Sequence, residues 1–437
     1  MARILLVGRG PLPSASTPQL GFSQLRTQAF LEVLTRAGHE VRLVSLVSQP
    51  VLERLDGWSG TVEIREEGAG WIAQAQSFAV DADLLVSAGP YNPGRLAVAI
   101  ADRRPLWVDI PGDPSAELTA LARVTPGGLS GPQVAAAHAG AVSVLSRADG
   151  ISVISEAQRH ATIGQLGLIG RLLAAESSPT LATIPISGGF VPEPTMDGER
   201  DSGLVVALAG AFNPWVDVDG IIACLTSLFA QRNDARVICT GGGLPDFYEA
   251  GFERFKAWAD TQGSRVQVLG WLPHAEMTAK LRRAHIGLSM DVAGPEPELG
   301  SRTRLLLFAE LGLTPASTVR CELSKQWAAA GALISLPDQD PTEAGKVLSE
   351  TAWSPEIASR AAALCPSADE VCAPLVRWCA HPIQCAPFHS TDATLSAELD
   401  AAKDQLAQIY ESPTWAAMNR LHGLGQAAVQ RLRSRSE

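Results

Sequence analysis

The sequence predicts an α/β protein with two successive doubly wound parallel sheets, each forming a Rossmann-like domain. Short apolar runs alternate with helical patterns along most of its 437 residues, as in the βαβ units of such sheets. Several runs end in glycine or small polar residues, which is where ligand-binding loops lie in open α/β sheets. The alternation stops over residues 190–202, which hold proline and charge but little apolar content, and it restarts at Leu204. A linker between two domains accounts for this break, and the length suits two domains.

The first strand–helix–strand unit occupies the N-terminus. Residues 3–8 form an apolar strand, and a loop rich in Gly, Pro and Ser follows. Ser23 is placed to cap a helix from about Gln24 to Ala37, because apolar residues recur there near the helical period. Gly38 ends this helix, and residues 40–46 form the next strand. The segment is one βαβ unit of a parallel sheet.

The later strands follow the same rhythm. We expect short buried strands at residues 84–87, 106–110, 150–155 and 181–186, and then at 204–209, 236–240, 266–269, 286–290 and 332–336. After about residue 373 the pattern changes, and a helix is expected near residues 395–410. The sequence therefore predicts an N-terminal domain (1–195), a second domain (196–372) and a C-terminal helical appendage (373–437) that packs back on the body.

Composition limits the classes of partner. The net charge of −11 argues against a nucleic-acid partner. No apolar run reaches the roughly 18 residues that span a bilayer, and the first residues resemble a buried strand rather than a signal peptide, so we expect a cytoplasmic protein. The seven cysteines fit that compartment as reduced thiols. None forms a C-x-x-C pair and their spacing does not match a structural zinc site, so no metal site is expected.

The segment from Pro295 to Pro315 is the most informative for function. A strand ends before it, an acidic loop broken by Gly and Pro follows, and a helix is expected to start near Ser301. The exposed N–H groups and the positive dipole of such a helix start form a phosphate site. Arg302 or Arg304 in the first turn can clamp a diphosphate there.

Two acidic residues precede that helix. Glu296 and Glu298 can accept hydrogen bonds from sugar hydroxyls, whereas the alternative is a surface loop with solvated charges.

This segment resembles the donor-binding loop and helix of retaining GT-B glycosyltransferases of the family 4 kind, in particular the subgroup whose helix opens with Arg-Thr-Arg. Similar motifs stand, in the expected order, at residues 21–26 with 38–41, 109–113, 155–167 and 210–217. Together the matches cover roughly residues 3–340. The resemblance implies the GT-B fold, in which two Rossmann-like domains face each other, with the donor nucleotide on the C-terminal domain and the acceptor on the N-terminal one.

The resemblance also assigns roles to residues. Arg302 and Arg304 would hold the diphosphate and stabilise the charge that grows on the leaving group. The other donor-side candidates that it implies lie in loops at the cleft, and they are Gly21, Asn213, Trp215, Gly241, Trp271 and Ser301. Core packing is the alternative for Trp271, and a tight turn for Gly241. Arg26 is a further candidate for a phosphate contact, or else a helix-surface residue. Enzymes of this kind generally need no bound metal, so no cofactor is expected.

The sequence departs from the family pattern at the donor helix. Leu307 stands where many relatives carry a carboxylate for the ribose hydroxyls, and Glu310, almost one turn on, is a hypothetical replacement. Asn213, Pro214 and Trp215 stand where an Arg…Lys pair is usual.

On the acceptor side, Asp113 follows the strand that contains Asp109. Asp113 is a candidate acceptor contact or base, and the alternative is an aspartate that caps the next helix.

The predicted function is transfer of a sugar from a UDP- or GDP-sugar to a small-molecule or glycan acceptor, with retention implied by the family. Natural-product or small-thiol glycosylation and cell-surface polysaccharide assembly both stay open, as does a homodimer. Two alternatives keep the fold: a GT-B epimerase or coupling enzyme acting on nucleotide sugars, and a catalytically silent GT-B partner subunit.

Overall fold

The computed structural model describes residues 1–14, 17, 21–189, 200–244, 247–351, 353–386, 412 and 415. These residues form two sheets, of eight and six strands, each flanked by helices. The paired strands run parallel, apart from one antiparallel pair at an edge of the first sheet. The predicted α/β fold class, with two doubly wound sheets, is therefore confirmed.

The first sheet contains, in spatial order, β3 (Glu53–Asp56), β4 (Ser59–Arg65), β2 (Glu40–Val47), β1 (Arg3–Arg9), β5 (Leu84–Ala88), β6 (Leu106–Ile110), β7 (Gly150–Val153) and β8 (Thr180–Thr183). Its helices are α1 (Phe22–Arg36), α2 (Trp71–Ala79), α3 (Asn92–Ala101), α4 (Pro114–Val124), α5 (Gly131–Arg147) and α6 (Glu156–Leu168). One face packs on α2, α3, α5 and α6, and the other on α1. The central strands are apolar on both faces, as a sheet covered twice requires.

The second sheet contains, in spatial order, β11 (Val266–Gly270), β10 (Arg236–Thr240), β9 (Val205–Leu208), β12 (Ile286–Ser289), β13 (Thr314–Thr318) and β14 (Ile334–Leu336). Its helices are α7 (Val218–Gln231), α8 (Ala250–Thr261), α9 (His274–Leu281), α10 (Pro295–Leu299), α11 (Thr303–Glu310), α12 (Glu322–Ala329), α13 (Pro341–Glu350) and α14 (Pro355–Ala363). One face packs on α7, α8 and α13, and the other on α9, α11, α12 and α14.

The chain crosses twice between the two sheets. After β8 it leaves the first domain, and the Gly188 N–H donates to the Pro366 carbonyl, 2.8 Å away, on the returning segment. Two more helices, α15 (Ala368–Val371) and α16 (Ala373–Ala380), then lie on the first domain. Arg36 of α1 pairs with Asp369, and the Trp378 ring lies 5.3 Å from Trp107. The return to the first domain thus begins before residue 373, where the appendage was predicted to start.

Parts of the domain prediction lie outside the described residues. The boundary at residues 195 and 196 falls there, as does the helix expected near residues 395–410. No helix among the residues that the structure describes is long and apolar enough to cross a membrane.

The start of α1 differs from the prediction. The helix begins at Phe22 and its N-cap is Gly21, so the assignment of Ser23 as the cap is wrong. The Gln24 side chain accepts a hydrogen bond from the Gly21 N–H at 3.0 Å. A glutamine at the third helical position reaches back to the cap, and this contact fixes the first turn two residues earlier than a serine cap would.

A buried ion pair joins α1 to the centre of the first sheet. The Arg26 guanidinium contacts both Asp109 oxygens at 2.9 Å and donates to the carbonyls of Ile184 and Pro185. Arg26 is buried, so the alternative of a helix-surface position is wrong. These four hydrogen bonds hold the beginning of the interdomain crossing against α1.

Candidate active site

The candidate site lies between the carboxyl ends of the two sheets. There α4 and the start of α6 meet the segment after β12, in the other domain. Ser155 Oγ donates to the Leu299 carbonyl at 2.6 Å, and Arg123 Nη1 donates to the Ala293 carbonyl at 2.8 Å. Loops at the carboxyl edges of both sheets therefore border one cleft, which is the usual place for ligands in open α/β folds.

Arg302 is buried beneath this cleft and holds two carboxylates. Its Nε lies 2.7 Å from Asp291 Oδ2, and its Nη2 lies 2.8 Å from Glu296 Oε2. Burial alone would lower the pKa of Arg302, but the two carboxylates raise it above its usual value. Burial raises the pKa of Glu296, and Arg302 opposes that rise. The structure thus brings Arg302 and Glu296 together as partners of each other.

Asp291 is the member of this group that the sequence analysis missed. It directly follows the strand residues predicted at 286–290, and an acidic residue at that place was the available signal. The expected helix start at Ser301 is also shifted, because Arg302 is the N-cap and α11 begins at Thr303. Arg302 turns inward from this cap position, where its ion pairs form.

Arg304, two residues later, has different surroundings. Its Nη2 donates to the Ala211 carbonyl at 3.1 Å, and among the described residues it forms no ion pair. Burial lowers the pKa of Arg304, while the nearby Asp291 and Glu296 oppose that shift. The backbone N–H groups of Arg302 and Thr303 have no hydrogen-bond partner in the described part of the chain. In the described part of the chain, a guanidinium without an ion pair and the unpaired N–H groups of a helix start therefore lie together, and both favour an anion.

The loops after β9, β10 and β11 pack side by side next to Arg304. Gly241 has φ +93°, and a β-carbon there would lie 2.2 Å from the Gly210 carbonyl oxygen. This close approach between loops explains the glycine by itself. Trp271 donates from its indole N–H to the Gly243 carbonyl at 3.3 Å. The predicted donor residues Gly241 and Trp271 are thus brought to one surface.

The other predicted donor residues are spread around this surface. Asn213 and Trp215 lie in the loop after β9, and the Trp215 carbonyl accepts from the Val292 N–H at 3.0 Å. Glu298 is exposed on the short helix α10, and Ser301 is partly buried before α11. Asn213 and Trp215 thus follow the strand next to β12, whereas Glu298 and Ser301 lie in the segment before α11, and the roles of all four stay predictions.

Glu310 lies away from Arg304, and Gly21 caps α1, whose first turn packs on the second domain. Glu310 is buried at the opposite end of α11 from Arg304, and its carboxylate accepts from the Gly189 N–H in the interdomain crossing. Glu310 also lines a cavity of about 600 Å³ beside α1, and Gly21 caps that helix. The structure does not bring Glu310 to Arg304, so its hypothetical ribose contact gains no support from this arrangement.

On the acceptor side, Asp113 caps α4. Its Oδ1 accepts from the Ala116 N–H at 2.8 Å, and its Oδ2 accepts from the Gln165 amide at 2.6 Å. Asp113 is almost completely buried. Both oxygens therefore have internal partners, which matches the capping alternative.

Glu117 is a residue that the sequence analysis missed. It lies one turn after Asp113 in α4, and the Tyr91 hydroxyl donates to its Oε2. Burial raises the pKa of Glu117 to about 7. The signal in the sequence was the spacing of four residues from the predicted cap, because that spacing places two side chains on one helix face.

In the part of the chain that the structure describes, the cysteines and acidic side chains form no metal cluster. All seven cysteines are free. Among the described residues, no group of three or more His, Cys, Asp and Glu side chains is arranged to hold a metal ion.

Several solved structures share this architecture. HepE of Anabaena, solved in complex with UDP-glucose, is 16% identical, with 87% of this chain and 100% of that chain covered and a TM-score of 0.60. A trehalose-phosphate synthase from Burkholderia xenovorans is 10% identical over 86% and 99% of the two chains, with a TM-score of 0.63. WaaG, a glycosyltransferase involved in lipopolysaccharide biosynthesis, is 13% identical over 86% and 98%, with a TM-score of 0.58.

Comparison of the amino-acid sequence with protein families and curated proteins gives no match. At these low identities the structural likeness concerns the fold, and retention and membership of family 4 stay predictions. The chain has the two-domain GT-B fold of glycosyltransferases, as its donor-helix motif led us to expect.

Proposed function

We propose that the chain is a glycosyltransferase that moves a sugar from a nucleoside-diphosphate sugar, with UDP or GDP as the nucleotide, to a small-molecule or glycan acceptor. The observation that carries this proposal is Arg304. It is a cation without a carboxylate partner among the described residues, and it lies at the start of α11 in the interdomain cleft. Solved neighbours with this fold include complexes with UDP-glucose and UDP-2-fluoro glucose, which supports a nucleotide sugar as the ligand.

Arg304 and Arg302 have different roles in this proposal. Arg304 and the free N–H groups at the helix start contact the diphosphate, and they stabilise the charge that grows as the bond to the sugar breaks. Arg302 pairs with Asp291 and Glu296 and so fixes the start of α11, the helix that carries Arg304. The sequence motif predicted the same role for both arginines, whereas their partners in the structure favour Arg304 for the phosphate contact.

The proposal includes transfer without a bound metal. Positive charge near the leaving group comes from the Arg304 guanidinium and from the α11 dipole. We therefore expect full turnover in the presence of EDTA. Loss of turnover on chelation, restored by Mg²⁺ or Mn²⁺, would contradict this part of the proposal.

Nucleotide binding tests the proposal directly. Titration calorimetry with UDP, GDP, dTDP, ADP and CDP is expected to find at least one ligand, which should also raise the melting temperature. Arg304→Ala is expected to weaken that binding by about 10-fold or more, because a charge-assisted hydrogen bond of about 1.5–3 kcal/mol is lost.

The matched control is Arg254→Ala, which removes an exposed arginine of the same domain that pairs with Asp219. Unchanged affinity in Arg304→Ala would contradict the site, and no response to any nucleotide would contradict the function. Incubating a labelled donor without acceptor separates transfer from the epimerase alternative, since only an epimerase would convert the donor sugar.

A further inference from the structure

Tyr91 and Glu117 form a pair at the cleft that the proposed function does not yet use. Tyr91 follows β5 and Glu117 follows β6, and these strands are neighbours in the sheet. Both side chains therefore reach the same carboxyl edge, where the Tyr91 hydroxyl donates to Glu117 Oε2. Tyr91 is 47% exposed, so the pair borders open space on the acceptor side.

The other carboxylate oxygen of Glu117, Oε1, has no hydrogen-bond partner among the described residues. It lies over the backbone of Gly112, where a β-carbon would come within 2.3 Å of Oε1. The loop after β6 thus supports the carboxylate from one side, and Tyr91 holds it from the other.

The charged groups that face Glu117 come from three elements. Asp113 caps its own helix, Glu296 lies on α10, and Arg302 precedes α11 on the opposite side of the cleft. Asp113 has the Ala116 N–H and the Gln165 amide as partners, and Glu296 and Arg302 bind each other. Of these carboxylates, Glu117 is the one with an oxygen left for a ligand.

These surroundings favour proton uptake by Glu117. Burial raises the pKa of Glu117 to about 7, the Tyr91 hydrogen bond opposes this rise, and the charges of Glu296 and Asp113 add to it. A general base works best when its pKa lies near the operating pH.

Resting on the proposed function, we infer that Glu117 is the acceptor-side base of the transfer and that Tyr91 is its positioning residue. Glu117 Oε1 takes the proton of the acceptor hydroxyl as the acceptor oxygen bonds to the anomeric carbon. The bond from that carbon to the diphosphate oxygen breaks, and the nucleoside diphosphate leaves with the electron pair. Retention, which the resemblance implies, requires that the acceptor oxygen attack from the same face that the diphosphate leaves. Glu117 then returns the proton to solvent.

The test measures nucleoside diphosphate release from UDP-glucose and GDP-mannose, with water and methyl α-glucoside as acceptors, over pH 5–9. The wild-type rate should rise with pH and level off above an inflection near pH 7. Glu117→Gln should lower the plateau by about 100-fold or more and remove the inflection. Glu117→Asp should retain part of the rate and the inflection.

Two further variants distinguish a change in the pKa of Glu117 from a general effect of removing a helix glutamate. The Tyr91 hydrogen bond lowers the pKa of Glu117 in the wild type. Tyr91→Phe removes this bond, so the pKa should rise and the inflection should move to higher pH. The matched control is Glu343→Gln, which removes a first-turn glutamate that pairs with Lys346. Its helix, α13, also has an Asp–Pro start and packs on α7. This control should keep both the rate and the inflection.

An equilibrium measurement checks the environment of Glu117 independently of turnover. A carboxyl group with a raised pKa in the folded state stabilises the fold at low pH and loses that contribution as pH rises from about 4.5 to about 7. Urea unfolding should therefore show a steeper decline in stability over this range for the wild type than for Glu117→Gln, in which the raised pKa of Glu296 still contributes. Equal pH dependence of the two proteins would overturn the inference.

The outcomes distinguish this inference from the function on which it rests. Wild-type turnover in Glu117→Gln, or an unchanged inflection in Glu117→Gln or Tyr91→Phe, would overturn the base and leave the transferase intact. No turnover in any protein, with nucleotide bound, would overturn the transfer reaction and the base together.

Discussion

Arg302 and Arg304 show how two identical side chains, two residues apart, differ in what they contribute. Arg302 neutralises two buried carboxylates, so Arg302→Ala leaves Asp291 and Glu296 without their cation. We expect a loss of about 3–5 kcal/mol in the free energy of unfolding, against less than about 1 kcal/mol for Arg304→Ala. Urea unfolding at pH 7 measures both. Equal losses for the two variants would contradict the assignment of Arg302 to the fold and Arg304 to the ligand.

The sequence predicted the positions of the site residues well, but it did not predict their partners. The Arg-Thr-Arg motif and its strand–loop–helix context placed Arg302 and Arg304 at the cleft. It could not show that Arg302 would be neutralised, because its partner Asp291 comes from a strand end whose direction depends on the folded sheet. Glu117 was missed because its importance depends on Tyr91, 26 residues away, and on burial.

At the scale of elements, the position of Arg304 depends on how α11 lies on β12. Gly287 in that strand faces Phe308, and a β-carbon there would lie 2.1 Å from the Phe308 Cγ. Gly287→Ala should therefore push the helix outward, because a buried ring and a central strand leave no room for the methyl group. We expect a loss of about 1–3 kcal/mol in stability and weaker nucleotide binding, measured by urea unfolding and calorimetry.

Gly140→Ala is the matched control for this effect. Gly140 lies in α5, and the nearest atom to its β-carbon would be 3.8 Å away, at ordinary contact distance. Alanine in a helix is favoured over glycine, so this variant should be neutral or more stable by about 0.5–1 kcal/mol. Unchanged nucleotide affinity in Gly287→Ala would contradict the prediction, because it would show that nucleotide binding does not depend on the close packing of α11 on β12.

Elements with apolar runs were predictable, and those without them were not. Each strand expected from such a run is present, within a few residues at its ends. β3 was missed because all four of its residues are exposed and give no apolar signal. β13 was missed because Thr314 and Pro315 resemble a turn after the helix, although Pro315 lies in a buried strand opposite Gly287. Tertiary burial overrides local propensity there.

At the scale of the whole molecule, polar contacts join the two domains across the cleft, beside apolar contacts of Ile154 and Ile186 with the core of the second domain. Besides the Ser155 and Arg123 hydrogen bonds, the Glu156 N–H donates to Glu322 Oε2 at 2.8 Å. Interfaces between domains of one chain commonly permit relative motion unless they are large and hydrophobic. Enzymes that close around a substrate use such motion to exclude water and complete the site. The double crossing near Gly188 and Pro366 is the connection about which these domains would move.

We expect the double variant Arg123→Ala/Glu322→Ala to populate a more open arrangement. Each interdomain hydrogen bond contributes about 0.5–1.5 kcal/mol, so losing two shifts the open–closed ratio by roughly 5- to 150-fold. Small-angle X-ray scattering should show a larger radius of gyration than the wild type, while the control Arg254→Ala/Glu343→Gln should not differ. A saturating nucleotide that bridges the domains should return the variant toward the wild-type value. A radius that is unchanged in the variant would mean that these contacts do not hold the cleft closed.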